Sequence, residues 1–113
     1  MFEKRKAGGT TEVIKGIHLK TLVYGDKTLM TEVRLEKGAV IPNHSHPHEQ
    51  TGYLISGHLD FIVDGKPITA KPGDSWSIAG NVKHSATAIA ETVVIEVFSP
   101  VREDYLPYYT SDE

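Results

Sequence analysis

The chain has 113 residues, 39% hydrophobic and 24% charged, with a net charge of -3 from 12 Lys and Arg against 15 Asp and Glu. That length supports one core and is too short for two, and without clustered cations nucleic acid is not an expected partner. There is no cysteine, which excludes disulfides, thiolate metal sites and thiol nucleophiles.

In chain order, residues 1–10 read as a frayed end whose one basic run, Lys4, Arg5 and Lys6, is solvated. The first nine residues hold no apolar stretch to serve as a signal peptide. No run approaches the ~18 apolar residues needed to cross a bilayer, so the expectation is a cytoplasmic protein with no membrane partner. From Val13 onward the chain breaks into short alternating stretches divided by turn signals, the pattern of an all-β sandwich or barrel. Residues 17–24 lead into the turn Gly25-Asp26, and residues 29–36 stop at Lys37-Gly38. Residues 53–56 and 59–63 flank Gly57. The second of these closes at Asp64-Gly65, a hairpin signal because both positions tolerate positive φ. Lys71-Pro72-Gly73-Asp74 marks another turn before Trp76-Ser77-Ile78, and residues 92–98 form the last regular stretch. The tail, residues 100–113, has room for one turn of helix. No helical period is sustained, and closure into a barrel would remove exposed strand edges.

The run Ile41-Pro42-Asn43-His44-Ser45-His46-Pro47-His48-Glu49-Gln50 carries the chemistry. Side chains alternate faces along a strand, so His44 and His46 point the same way with Cα atoms about 6.6 Å apart. Both imidazoles can then reach one cation of the Zn, Fe, Ni, Cu or Mn type. His84 follows the turn Gly80-Asn81, and a closed barrel can bring its strand beside the pair. A histidine pair is also an ordinary surface feature of strands. Here the bracketing Gly38 and Gly57, the following Gln or Glu and the third His favour ligation. His48 shares the parity of the pair, but Pro47 disturbs that register, and His48 reads as a rim residue. In the last strand Glu96 and Phe98 share a face. If that face is the interior, a carboxylate and a ring line the pocket, and a buried carboxyl of raised pKa can carry a proton. His18 and His58 read as ordinary strand residues. Tyr24, Tyr53 and Trp76 read as core or interface aromatics, and Tyr105, Tyr108 and Tyr109 as a cover for a barrel edge or a dock for a partner subunit.

The spacing Gly38, five residues, His44, one residue, His46, three residues, Gln50, six residues, Gly57 resembles the first motif of the cupin superfamily, with Gln50 where Glu is usual. Gly73, five residues, Ala79-Gly80-Asn81, two residues, His84 resembles the second. Ala79 stands where Pro is usual, Asn81 where Gly is usual, and Ala88 where Asn often occurs; Asn81 is the mild change, since Asn tolerates positive φ. The resemblance implies a single-domain jelly-roll barrel over residues 1–113, with a divalent transition metal on His44, His46, Gln50 and His84. Glu49, expected on the opposite side of the strand, is the rival to Gln50. The segment Phe98-Ser99-Pro100-Val101-Arg102-Glu103-Asp104-Tyr105-Leu106 resembles the ending of small cupins of pectin and alginate degradation. Carried over by position, Glu96 is the acid/base, although Asp is the residue associated with that place. Arg102 then pairs with a sugar carboxylate through its bidentate fork, and Phe98 shapes the pocket. The alternative for Glu96 and Arg102 is a structural ion pair.

The implied function is metal-dependent conversion of an unsaturated uronate, or a related small acidic sugar or keto acid, to a linear keto form, as in an isomerase or lyase-type cupin. An iron-dependent dioxygenase on the same ligands and a non-catalytic metal-containing sugar-binding module are the alternatives. The small core and the edges offered by the N-terminal strand and Tyr-rich tail lead to an expected homodimer.

Overall fold

The alternating stretches become ten strands and one 3-10 helix in the computed structural model, which describes residues 1–110. The end of the expected tail, residues 111–113, lies outside the described residues. The strands are β1 Thr11–Ile14, β2 Ile17–Tyr24, β3 Leu29–Leu35, β4 Val40–His44 and β5 Glu49–Ser56, followed by β6 Leu59–Val63, β7 Lys66–Ala70, β8 Ser75–Ile78, β9 His84–Ala88 and β10 Thr92–Ser99. They pair antiparallel in two sheets, one of order β1-β2-β3-β10-β5-β8 and one of order β4-β9-β6-β7. This is the expected all-β, two-sheet barrel.

Alternation places the core. On β2 and β3, Ile17, Leu19, Val33 and Leu35 turn inward, and Leu54 on β5 and Val94 on β10 continue the same face. The facing sheet supplies Leu59, Phe61, Ala86 and Ala88. These apolar side chains account for the packing of sheet on sheet, each buried aliphatic residue contributing roughly 1.5–3 kcal/mol. The hairpin between β6 and β7 turns at Asp64 and Gly65 with φ of 51° and 76°, as the Asp-Gly pair demands. At Gly57 φ is 103°, and a Cβ would overlap the Glu91 carbonyl and Thr92; only glycine fits there.

The structure departs from the sequence reading in local detail. β4 ends at His44, so His46 lies in the β4–β5 connection rather than on a strand beside His44. His58 lies between β5 and β6 rather than within a strand. Tyr53 is 49% exposed, so it is no part of this chain's core. The tail forms the 3-10 helix Glu103–Tyr108 and packs back on β2: Thr21 Oγ1 donates to the Tyr105 carbonyl at 2.6 Å, and Tyr109 bridges Thr21. Residues 1–10 also make contacts, with Lys20 Nζ donating to the carbonyls of Lys6 and Gly8 and Tyr109 hydrogen-bonded to Glu3. No helix among the described residues is long and apolar enough to cross a membrane.

Candidate metal centre

Two sheets and one loop converge at the histidines. His44 and His84 are direct cross-strand partners on β4 and β9, so pairing, not sequence, makes them neighbours; their ring centroids lie 4.3 Å apart. His46 reaches the same point from the β4–β5 loop, 5.6 Å from His44 and 5.2 Å from His84 between centroids. That loop is clamped by the turn before β9. Asn81, at φ 67°, donates its N–H to the His46 carbonyl at 2.7 Å, and Gly80 leaves room for the Pro47 carbonyl. The sequence reading of Asn81 as a tolerable substitute at positive φ matches this geometry.

Each ring is oriented by its own backbone. The Nδ1 of His44 lies 2.8 Å from the Pro42 carbonyl, that of His46 3.0 Å from His48 O, and that of His84 2.9 Å from Val82 O. A carbonyl only accepts, so every Nδ1 is the donor, and in a neutral ring so held Nε2 keeps its lone pair. One nitrogen from each ring lies within 4.8 Å of the others. Burial holds His46 and His84 below the usual histidine range, helped at His46 by the Arg102 charge and opposed at His84 by the hydrogen bond to Val82. Both therefore sit neutral, as ligation requires.

Three buried atoms here, His46 Nε2, His48 Nδ1 and Gln50 Oε1, make no well-formed hydrogen bond, although Gln50 comes near enough to His46 to favour its charged form. His46 Nε2 and Gln50 Oε1 are the two at the histidine cluster. Unsatisfied buried acceptors are costly, and two aimed into one histidine cluster are the arrangement a cation would satisfy. Glu49 is exposed while Gln50 is buried, as strand alternation requires. The donor set of His44, His46, His84 and Gln50 therefore fits a divalent transition metal. His48 stands outside the three-nitrogen cluster.

The Gln50 amide is held from behind. Its Nε2 donates to Glu96 Oε2 at 2.6 Å, and the Trp76 indole N–H donates to the same oxygen at 3.2 Å. Glu96 is half-buried and lines the cavity. Burial raises its pKa, with the Trp76 and Gln50 hydrogen bonds and the Arg102 charge opposing. Phe98 is buried on the same face and meets His46 edge-on at 5.8 Å. The cavity measures ≈ 380 Å³ and is mainly apolar, lined by Ile41, Leu59 and Phe61 among others, with Arg102, Tyr105 and Tyr108 contributed by the tail.

Arg102 does not pair with Glu96, and the structural ion-pair alternative is corrected here. Its Nε binds Asp104 at 3.1 and 3.2 Å, a partner two residues away in the tail. The guanidinium lies over Tyr105 at 4.0 Å and beside Phe98 at 5.1 Å, and those two rings meet edge-on at 5.4 Å. Trp76, read from sequence as a core or interface aromatic, does pack against the core at Phe61 and in addition gives the site a polar contact. An isolated glycine inside a strand, Gly52, was the available signal of a close approach there. His18 sits on the outer face, paired with Glu36 at 2.7 Å.

The cupin-domain family model matches residues 31–98. This chain belongs to the cupin family. Within that family the cupin is 32% identical over 97 residues to the pectin degradation protein KdgF of Dickeya dadantii, covering 84% of this chain and 88% of the relative. The solved structure of KdgF from Halomonas sp. is 30% identical with a TM-score of 0.82, covering 86% of this chain and 90% of that one. An RmlC-like cupin from Shewanella frigidimarina is 28% identical with the same TM-score of 0.82, covering 86% and 87%.

The tail that closes this cupin's cavity carries a pH signature. Burial pushes the Tyr105 hydroxyl up to about 12, from an ordinary 10.0. The native state then holds the proton more tightly than the unfolded chain does. The stability it contributes is present below pH 10 and is lost as pH climbs through 12. Tyr105→Phe removes the ionisable group. In urea melts it is expected to keep up to about 3 kcal/mol more of its neutral-pH stability between pH 10 and 12 than the wild type keeps.

Proposed function

We propose that this cupin is a metal-dependent enzyme that converts an unsaturated uronate to its linear keto form. One observation carries the reading. His44, His84 and Gln50 of the metal-type donor set, the Glu96 carboxyl and Arg102 line one cavity whose other walls are mainly apolar, with His46 beside the two histidines. Similarity to KdgF, a pectin degradation protein, supplies the substrate class. His44, His46, His84 and Gln50 would hold the ion. Three imidazoles and an amide are neutral, so a bound divalent ion would keep its full charge and supply Lewis-acid polarisation of a substrate oxygen.

The chain's own residues do the rest. Arg102, packed against Phe98 and Tyr105 and with its Nε taken by Asp104, keeps its remaining N–H groups for a substrate carboxylate. Phe98 and the apolar wall exclude water from the sugar ring. Conversion to the linear keto form is an isomerisation. The hemiacetal hydroxyl gives up its proton as the ring C–O bond breaks and the ring oxygen leaves as an enolate. A proton is then delivered to carbon as that enolate becomes the ketone, so one proton leaves oxygen and one reaches carbon. Glu96 is the carboxyl placed for this, because one of its oxygens takes both protein donors and the other takes none.

The test is incubation of the purified protein with an unsaturated uronate monosaccharide, following the ultraviolet absorbance of its conjugated double bond. Absorbance is expected to fall faster with protein than without, to stop when a chelator is added, and to resume when metal is returned. Saturable binding of the uronate with no change in absorbance would instead make this cupin a sugar-binding module.

A further inference from the structure

We propose that Trp76 is a positioning residue of this site, whose indole N–H, passed over the β5 backbone at Gly52, holds Glu96 and through it the amide of Gln50. The inference rests on reading Glu96 as the proton carrier and Gln50 as a metal ligand. Glu96, Gly52 and Trp76 form one cross-strand row: Glu96 on β10 faces Gly52 on β5, and Gly52 faces Trp76 on β8. Residues so paired point to the same side of the sheet, yet Glu96 and Trp76 stand two strand spacings apart, about 9.6 Å. Any side chain on the middle strand would keep them separate. Gly52 has none, and a Cβ built there would overlap Cε2, Nε1 and Cζ2 of the indole.

Gly52 is not among the positive-φ residues of the chain. Its backbone conformation is open to any residue, so the reason for glycine at 52 is space for the indole. The ring is braced from the facing sheet by Phe61, 4.8 Å away between centroids. An indole N–H can only donate, and the carboxylate oxygen at 3.2 Å is its acceptor. Because Gln50 Nε2 donates to that same Oε2, the Glu96 carboxylate also decides which way the Gln50 amide faces. Its Nε2 is turned to Glu96, and its buried Oε1, which makes no well-formed hydrogen bond, is left for the histidine cluster.

Trp76 is the sole tryptophan, so a proton–nitrogen correlation spectrum of the zinc-loaded protein contains one indole N–H signal. Glu96→Ala and Gly52→Ala are each expected to shift it and to speed its exchange with solvent. Trp76→Phe keeps the ring and removes the donor. Its kcat on the uronate is expected to fall about 10- to 100-fold, the worth of a hydrogen bond to a charged group, with KM within about twofold. In a Glu96→Ala background the same substitution should change kcat no further. An indole signal unmoved by Glu96→Ala overturns the proposal, as does an equal loss from Trp76→Phe in both backgrounds, which would mark a packing role. If the wild type turns over no uronate, the functional reading fails, and the indole signal still decides the role of Trp76.

Discussion

His46→Ala is expected to empty the metal centre while leaving the barrel folded. The His46 ring is oriented by its bond to the His48 carbonyl, and its Nε2 is buried without a well-formed hydrogen bond. Removing the ring therefore breaks no hydrogen bond between strands. It does remove the nitrogen that the loop adds to the pair His44 and His84, and with it the proposed third imidazole ligand. Changes in groups that merely support metal ligands cost about 10- to 100-fold in metal affinity, and loss of a ligand is expected to cost more. The clearest measurement is elemental analysis after dialysis against limiting metal, with melting curves run in parallel. Metal at 1,000 times its Kd should stabilise the wild type by about 4 kcal/mol and the variant hardly at all. Without metal the two should melt alike. His48→Ala, outside the cluster, should retain the ion. A His44→Ala, His46→Ala double variant that kept full metal content would overturn the assignment.

Glu96→Gln is expected to reduce uronate turnover by about 10²- to 10⁴-fold, the usual contribution of a positioned proton carrier. Glutamine keeps an acceptor oxygen for the Gln50 amide and the Trp76 indole, so metal content and melting should stay close to wild type. Glu96→Ala removes that acceptor, strands two buried donors and is expected to weaken metal binding as well. The contrast between the two variants separates the chemical role of the carboxyl from its structural one. Arg102→Ala should raise KM for a carboxylated sugar far more than for its neutral analogue if the proposed pairing of its N–H fork with the carboxylate holds. Full activity of both Glu96→Gln and Arg102→Ala on every uronate tried would exclude the uronate reading and favour a binding module.

Strand positions, the Asp64-Gly65 hairpin and the two-sheet barrel were legible in the sequence because they rest on local rules: alternation with period two and turn residues that accept positive φ. The motif spacings likewise singled out His44, His46, Gln50 and His84, since spacing survives in chain order. Burial of Gln50 and exposure of Glu49 follow from the same alternation. Other features could not be read locally. His46 left the strand because β4 ends at His44, and its place was set by a turn 35 residues later, through the Asn81 N–H. Arg102 took Asp104 rather than Glu96 because the tail folds into a 3-10 helix against β2, bringing a nearer carboxylate to the guanidinium. The row Glu96–Gly52–Trp76 exists only because β10, β5 and β8 become neighbours through long-range pairing. Sequence determined which side chains were available and which face each strand would bury. Tertiary structure decided which of them touch, because contact across a sheet depends on strand order and register, and neither is written in local periodicity.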